Sequence, residues 1–285
     1  MIQEKNQILT RENQKAILYD VYYTPNHKQK PIVIFCHGYK GFKDWGAWHL
    51  VAETFANEGF FFLRFNFSHN GGTIDQPIDF PDLEAFGKNN FTKELDDLED
   101  IISLIASSEK YGKEIDPKNI SLIGHSRGGG IVLIKSEENP LIKNVITWAG
   151  VSDFKARFQE NSESFKQWKK TGITFIENGR THQQMPHQFQ FYTNFKENEK
   201  RLTIRRAVEN LSVNQLIVHG SEDPTVALIE AQLLHKWNPK SKLVTIDQAD
   251  HVFGASHPWN TKIIPNNLLT AVSKTIAFII KDSFN

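Results

Sequence analysis

Six short apolar segments alternate with five amphipathic helical segments along this chain, and that alternation confines it to a sheet covered by helices. The strand-like runs are 31–36, 60–67, 119–123, 145–149, 215–218 and 242–246, and the helical patterns are 48–57, 91–108, 129–136, 226–237 and 266–280. Ahead of them, 15–23 alternates apolar and polar side chains, as an antiparallel strand with one wet face does. The expected fold class is α/β, with a mostly parallel, doubly wound sheet. Glu94, Asp96, Asp97, Glu99 and Asp100 fall early in one helix, where carboxylates complement the dipole, and are expected to form a solvated face. The alternation breaks between 152 and 210, a stretch too long and too aromatic for a plain loop, with Phe154, Phe158, Phe165, Trp168 and Phe191 among its rings. At 285 residues the simplest organisation is one core, 1–151 with 211–285, carrying an insertion at 152–210.

Chemistry enters at Gly124-His125-Ser126-Arg127-Gly128, between the apolar run 119–123 and the next helix. A strand that turns sharply into a helix over this pattern presents the serine hydroxyl to a site, with the positive end of the helix dipole beneath it. The same pattern is met by a glycine-rich turn with a capping serine. A nucleophilic serine needs a base, and the base needs a carboxylate to fix its tautomer. The run 215–218 opens into His219-Gly220-Ser221-Glu222-Asp223-Pro224, which places Asp223 beyond a strand end, and the run 242–246 leads to Asp250-His251. The candidate catalytic residues are thus Ser126, Asp223 and His251, in the Ser, acid, His order of the α/β-hydrolase fold. Asp153, after the run 145–149, is the alternative acid, and His257 the rival base.

Attack on a carbonyl builds negative charge on its oxygen, which backbone N–H groups stabilise. The expected donors are the N–H of Arg127, directly after the serine, and that of Tyr39, in the loop His37-Gly38-Tyr39-Lys40-Gly41 after the run 31–36. His37 is expected to shape this loop rather than to transfer protons.

With these motifs in view, the chain resembles the α/β-hydrolase superfamily over most of its length. Within it, His37-Gly38-Tyr39-Lys40-Gly41, Gly124-His125-Ser126-Arg127-Gly128-Gly129, His219-Gly220-Ser221-Glu222-Asp223 and Asp250-His251 are similar to the serine-aminopeptidase-like, dienelactone-hydrolase-like and feruloyl-esterase-like branch. Ser126 stands where dienelactone hydrolases proper carry cysteine, and Tyr39 departs from the lipase run of glycines. The resemblance implies an α/β-hydrolase fold in which 152–210 forms a helical cap, and a serine hydrolase without a cofactor. The expected reaction is cleavage of a carboxylic ester or thioester through an acyl-enzyme on Ser126. An aminopeptidase or amidase of the same fold is the alternative, for which Glu160, Glu163 and Glu177 are candidate holders of a substrate amino group. A non-catalytic binding protein is the third.

Lysine and arginine number 33, as do aspartate and glutamate, so there is no general field for nucleic acid or an anionic membrane. The expected partner is a small-molecule ester, thioester or amide, and a homodimer is left open. No metal-site spacing or P-loop is present in the sequence, and the one cysteine, Cys36, lies in an apolar run as a small hydrophobe. Without a signal-like leader or a membrane-spanning stretch, a cytoplasmic location is expected.

Overall fold

The computed structural model describes residues 1–26 and 28–283. Its centre is an eight-stranded sheet formed by β1 (Ile2–Leu9), β2 (Ile17–Tyr23), β3 (Lys30–Cys36), β4 (Phe61–Phe65), β5 (Ile115–His125), β6 (Ile142–Trp148), β9 (Asn214–Gly220) and β10 (Lys242–Ile246). The order is β1-β2-β4-β3-β5-β6-β9-β10, antiparallel at the first two pairings and parallel from β4 onward. This is the α/β-hydrolase architecture.

Side-chain alternation along β3 explains the two layers. Ile32, Ile34 and Cys36 join a core with α3 (Phe91–Ala106), α4 (Arg127–Glu138) and α9 (Leu228–Trp237), whereas Val33 and Phe35 join a core with α1 (Trp48–Asn57) and α10 (Asn266–Ser283). Both faces of the strand are therefore dry, which is why its sequence is continuously apolar. A short helix, α2 (Leu83–Gly87), precedes α3. After β3 the chain crosses to β4 on one side, and β5 lies on the other. That reversal opens a crevice at the carboxyl ends of β3 and β5, the usual place for a ligand in an open α/β sheet.

Between β6 and β9 lie a 3₁₀ turn at Lys155–Arg157, α5 (Glu163–Thr171), the antiparallel hairpin β7 (Ile173–Glu177) with β8 (Gln184–Gln188), α6 (Gln190–Glu197), α7 (Glu199–Leu202) and α8 (Ile204–Glu209). The hairpin adds strand structure to a segment expected to be helical. Aromatic stacking fastens this segment to α3: the Phe91 ring lies 3.9 Å from Phe154 and 4.7 Å from Phe191, centroid to centroid. Ion pairs Arg201–Glu138 and Arg206–Glu137 tie it to the end of α4.

The acidic face on α3 requires correction. Glu94 and Asp97 are 1% and 2% exposed, and only the other three acids meet solvent. Glu94 is taken up by Arg127 and Asp97 by Arg11, while Ser68 donates to Asp97 from its backbone and hydroxyl. Both carboxylates sit four residues ahead of buried apolar ones, Leu98 and Ile101, and so share the inward stripe.

Candidate active site

Ser126 is the single residue between β5 and α4, and its φ of 55° is a conformation that a side chain adopts at a cost of roughly 1–3 kcal/mol. The surroundings hold it there. Its N–H donates to the Trp148 carbonyl at 2.9 Å, and its own carbonyl accepts from Gly129 at 2.9 Å and Val151 at 3.2 Å. The turn closes only because position 124 is glycine: a Cβ there would overlap the Gly128 carbonyl oxygen in the first turn of α4.

Asp223 follows β9 and His251 follows β10, and the sheet brings them together. The Asp223 side chain is fully buried. Its Oδ1 accepts from the N–H groups of Thr225 and Val226, each at 2.8 Å, and its Oδ2 lies 2.8 Å from His251 Nδ1. Burial pushes this carboxyl up, but hydrogen bonds from His219, His251 and Val226 override it and hold the group well below the usual carboxylate range. An ionised carboxylate only accepts, so the proton of a neutral His251 sits on Nδ1 and Nε2 is left basic. Among the described residues no hydrogen bond joins the Ser126 hydroxyl to His251, a bond that often tightens only when substrate binds.

The loop after β3 approaches Ser126 closely, since a Cβ at Gly38 would stand 2.8 Å from the Ser126 Cβ. His37 anchors this loop. Its Nε2 accepts from the Phe67 N–H at 3.2 Å, which leaves Nδ1 to donate to the Gly38 carbonyl at 2.9 Å. Burial lowers its pKa to about 4, so the imidazole stays neutral in that tautomer. Further along, Lys43 and Arg64 share the buried Asp20, and both also pair with Asp44, pinning the loop to β2 and β4. Neither the Tyr39 nor the Arg127 N–H donates a hydrogen bond to another of the described residues, so both are free to meet a ligand.

Ser126 opens on a cavity of about 580 Å³ walled by Phe91, Phe154, Phe158, Trp168 and Phe191. Arg127, Arg157 and His187 contribute polar groups, and no carboxylate is among the described residues that line it. A polar depression of about 610 Å³ between Lys118, Glu137 and Asn214 lies at the amino ends of the strands, away from Ser126.

The rivals have other partners. Asp153 accepts from the Lys155 N–H at 2.7 Å on the surface, and His257 Nδ1 accepts from the Gly46 N–H at 2.9 Å. Asp250 caps its own loop through Val252 and Gly254. Three further histidines support the site, and two of them, His125 and His187, are not legible in that role from sequence. His125 Nε2 donates to the His251 carbonyl at 2.9 Å, and burial together with His251 lowers its pKa to about 3. His219, fully buried, lies 2.8 Å from the Val226 carbonyl and 3.4 Å from Asp223 Oδ2 through Nε2. His187 reaches the Tyr39 hydroxyl at 2.7 Å from β8. For His219 the four-residue spacing to Asp223 is a usable signal, whereas His187 and Tyr39 are 148 positions apart.

The sequence profile of the prolyl oligopeptidase family matches residues 52–263, which span the elbow, the inserted segment and the loops bearing Asp223 and His251. This chain belongs to the prolyl oligopeptidase family. The family is one of hydrolases on the α/β-hydrolase fold, and solved structures agree on that fold. Est1E from Butyrivibrio proteoclasticus superposes with a TM-score of 0.74 at 15% identity, over 99% of this chain and 100% of that one. Est1E with ferulic acid bound gives 0.68 at 18% identity, over 95% and 97%. A Mycobacterium tuberculosis puromycin-hydrolyzing peptidase gives 0.63 at 15% identity, over 99% of this member of the prolyl oligopeptidase family and 39% of the peptidase. No curated protein sequence matches the chain significantly.

Proposed function

We propose that this hydrolase cleaves carboxylic esters or thioesters through an acyl-enzyme on Ser126. The observation that carries this reading is the 2.8 Å contact of Asp223 Oδ2 with His251 Nδ1, in a histidine whose carbonyl is bound by His125, the residue before a serine held at φ 55°. His251 Nε2 removes the Ser126 proton, Ser126 Oγ attacks the carbonyl carbon, and the N–H groups of Tyr39 and Arg127 receive the oxyanion. His251 returns the proton to the leaving alcohol or thiol and then activates water for deacylation, while Asp223 holds the imidazole throughout. The segment 152–210 acts as a cap over this reaction.

The cavity wall gives the substrate its character. A cavity lined largely by aromatic rings suits a flat or long apolar acyl group, in keeping with the ferulic acid bound to Est1E. The family name and the puromycin-hydrolyzing neighbour favour an amide-cleaving alternative, but binding a free amino terminus calls for a carboxylate that the described lining lacks. Glu163 pairs instead with Lys166, and Glu177 with His182. The test is intact mass after a fluorophosphonate probe together with turnover of p-nitrophenyl butyrate and aminoacyl-p-nitroanilides. We expect one adduct on wild type, none on Ser126→Ala, and turnover of the ester only. Unlabelled wild type, or preferred cleavage of the anilides, overturns this assignment.

A further inference from the structure

The two residues assigned as oxyanion donors, Tyr39 and Arg127, are also joined through their side chains, and the join passes into the inserted segment. The Arg127 guanidinium lies over the Tyr39 ring, 4.9 Å from its centroid, and is held from behind by Glu94, itself bound by Asn89 at 2.7 Å. On its other side the Tyr39 hydroxyl meets His187 Nε2 at 2.7 Å, with Phe86 against both rings. His187 is not a loose partner. Trp168 Nε1 donates to its carbonyl at 2.8 Å, and the preceding Pro186 packs so closely on α2 that a Cβ at Gly87 would come within 3.3 Å of it.

We propose that His187 is a positioning residue for the reaction: through the Tyr39 hydroxyl, the β7–β8 hairpin fixes the loop after β3 and with it the pair of N–H groups at Tyr39 and Arg127. The inference rests on those groups being the oxyanion donors. Three features make the contact suited to this task. It crosses from the inserted segment to the core between two residues that line the cavity on which Ser126 opens. It joins two neutral groups, since burial pushes the Tyr39 phenol up to about 12 and the His187 imidazole down to about 4, so it persists across the working range of pH. And Tyr39 lies between Gly38 and Lys40, the latter at φ 53°, in a loop where Gly41 donates to the Gly38 carbonyl at 3.1 Å and where His37 and Asn70 hold the Gly38 and Gly41 carbonyls, while the Tyr39 side chain is held by His187. A misplacement of about 1 Å in such donors lowers turnover by as much as about 100-fold.

The experiment is a mutant cycle on the full chain with His187→Phe, Tyr39→Phe and the double variant, with His187→Gln as the polar replacement. Turnover of p-nitrophenyl butyrate is normalised to sites titrated by fluorophosphonate, which removes any unfolded fraction. Each single Phe variant is expected to lower kcat per site about tenfold with KM within twofold, the double variant to be no worse than the weaker single, and His187→Gln to recover most of the loss. A wild-type kcat per site in His187→Phe, or losses that multiply in the double variant, overturns the proposal. If wild type carries no adduct on Ser126, the catalytic assignment beneath it falls first, and the probe distinguishes that failure from the other.

Discussion

Asp223 accepts from two backbone N–H groups on Oδ1 and from His251 on Oδ2, with His219 Nε2 farther off at 3.4 Å, and that arrangement fixes what an amide at the same place does. In Asp223→Asn, the side-chain oxygen can still accept from Thr225 and Val226, so the turn keeps its shape. Its NH2 group then faces His251 Nδ1, and the imidazole must present a lone pair there, which moves its proton to Nε2 and abolishes the base. We expect kcat on p-nitrophenyl butyrate to fall by about 10⁴-fold, the scale of losing the correct tautomer in such a triad, with little change in melting temperature. A loss under tenfold would sink this assignment of the acid.

At the scale of elements, strands buried on both faces announce themselves, and those with a wet face do not. The runs 31–36 and 145–149 coincide with β3 and β6 to within a few residues because, Pro31 apart, every side chain there is driven inward. β1 carries Gln3, Glu4, Lys5 and Gln7 at an exposed edge, and in sequence it reads only as a stretch too polar for a signal peptide. The β7–β8 hairpin is hidden for the same reason, since β7 is largely exposed. The chain order Ser126, Asp223, His251 is legible because each follows a recognisable strand, whereas the support from His125, His187 and Glu94 arises from pairs 33 to 148 residues apart. The stacked wall between α3 and the inserted segment likewise becomes visible only in three dimensions. Phe154→Ala removes the ring that lies 3.9 Å from Phe91, and emptying such a site costs about 3–5 kcal/mol when the space does not collapse. Because this ring also lines the cavity, we expect KM for p-nitrophenyl octanoate to change at least fivefold more than KM for the acetate, alongside a lower melting temperature. Equal effects on both esters would show that the ring packs the cap without touching the acyl group.

For the whole molecule, the response to acid follows from histidines that the fold keeps neutral. His37 and His125 are buried, with pKa values lowered by burial to about 4 and about 3. In the unfolded chain both protonate near pH 6.5, so as pH falls below 6.5 the unfolded state binds protons that the folded state refuses, and stability is lost down to the folded pKa values. By pH 4 the two together remove on the order of 6 kcal/mol. Asp97 acts in the opposite sense: burial raises it to about 6, so the folded state takes its proton first, returning about 2 kcal/mol over the same fall in pH. His69 and His187, also lowered mainly by burial, side with the first two. Asp223, held low by its donors, is still ionised through this window and its contribution is lost only below the usual carboxylate range. The histidines therefore win. The melting temperature is expected to be flat from pH 8 to 7 and to drop by roughly ten degrees or more between pH 6.5 and 4.5, a size consistent with a few degrees or less per kcal/mol in a chain this long. His125→Gln should lower stability at pH 7 through its lost contact with the His251 carbonyl, and the gap to wild type should narrow by pH 4.5 because the variant no longer carries that proton linkage. Calorimetry across this range decides it, and a gap that stays constant with pH would mean that His125 is protonated inside the fold.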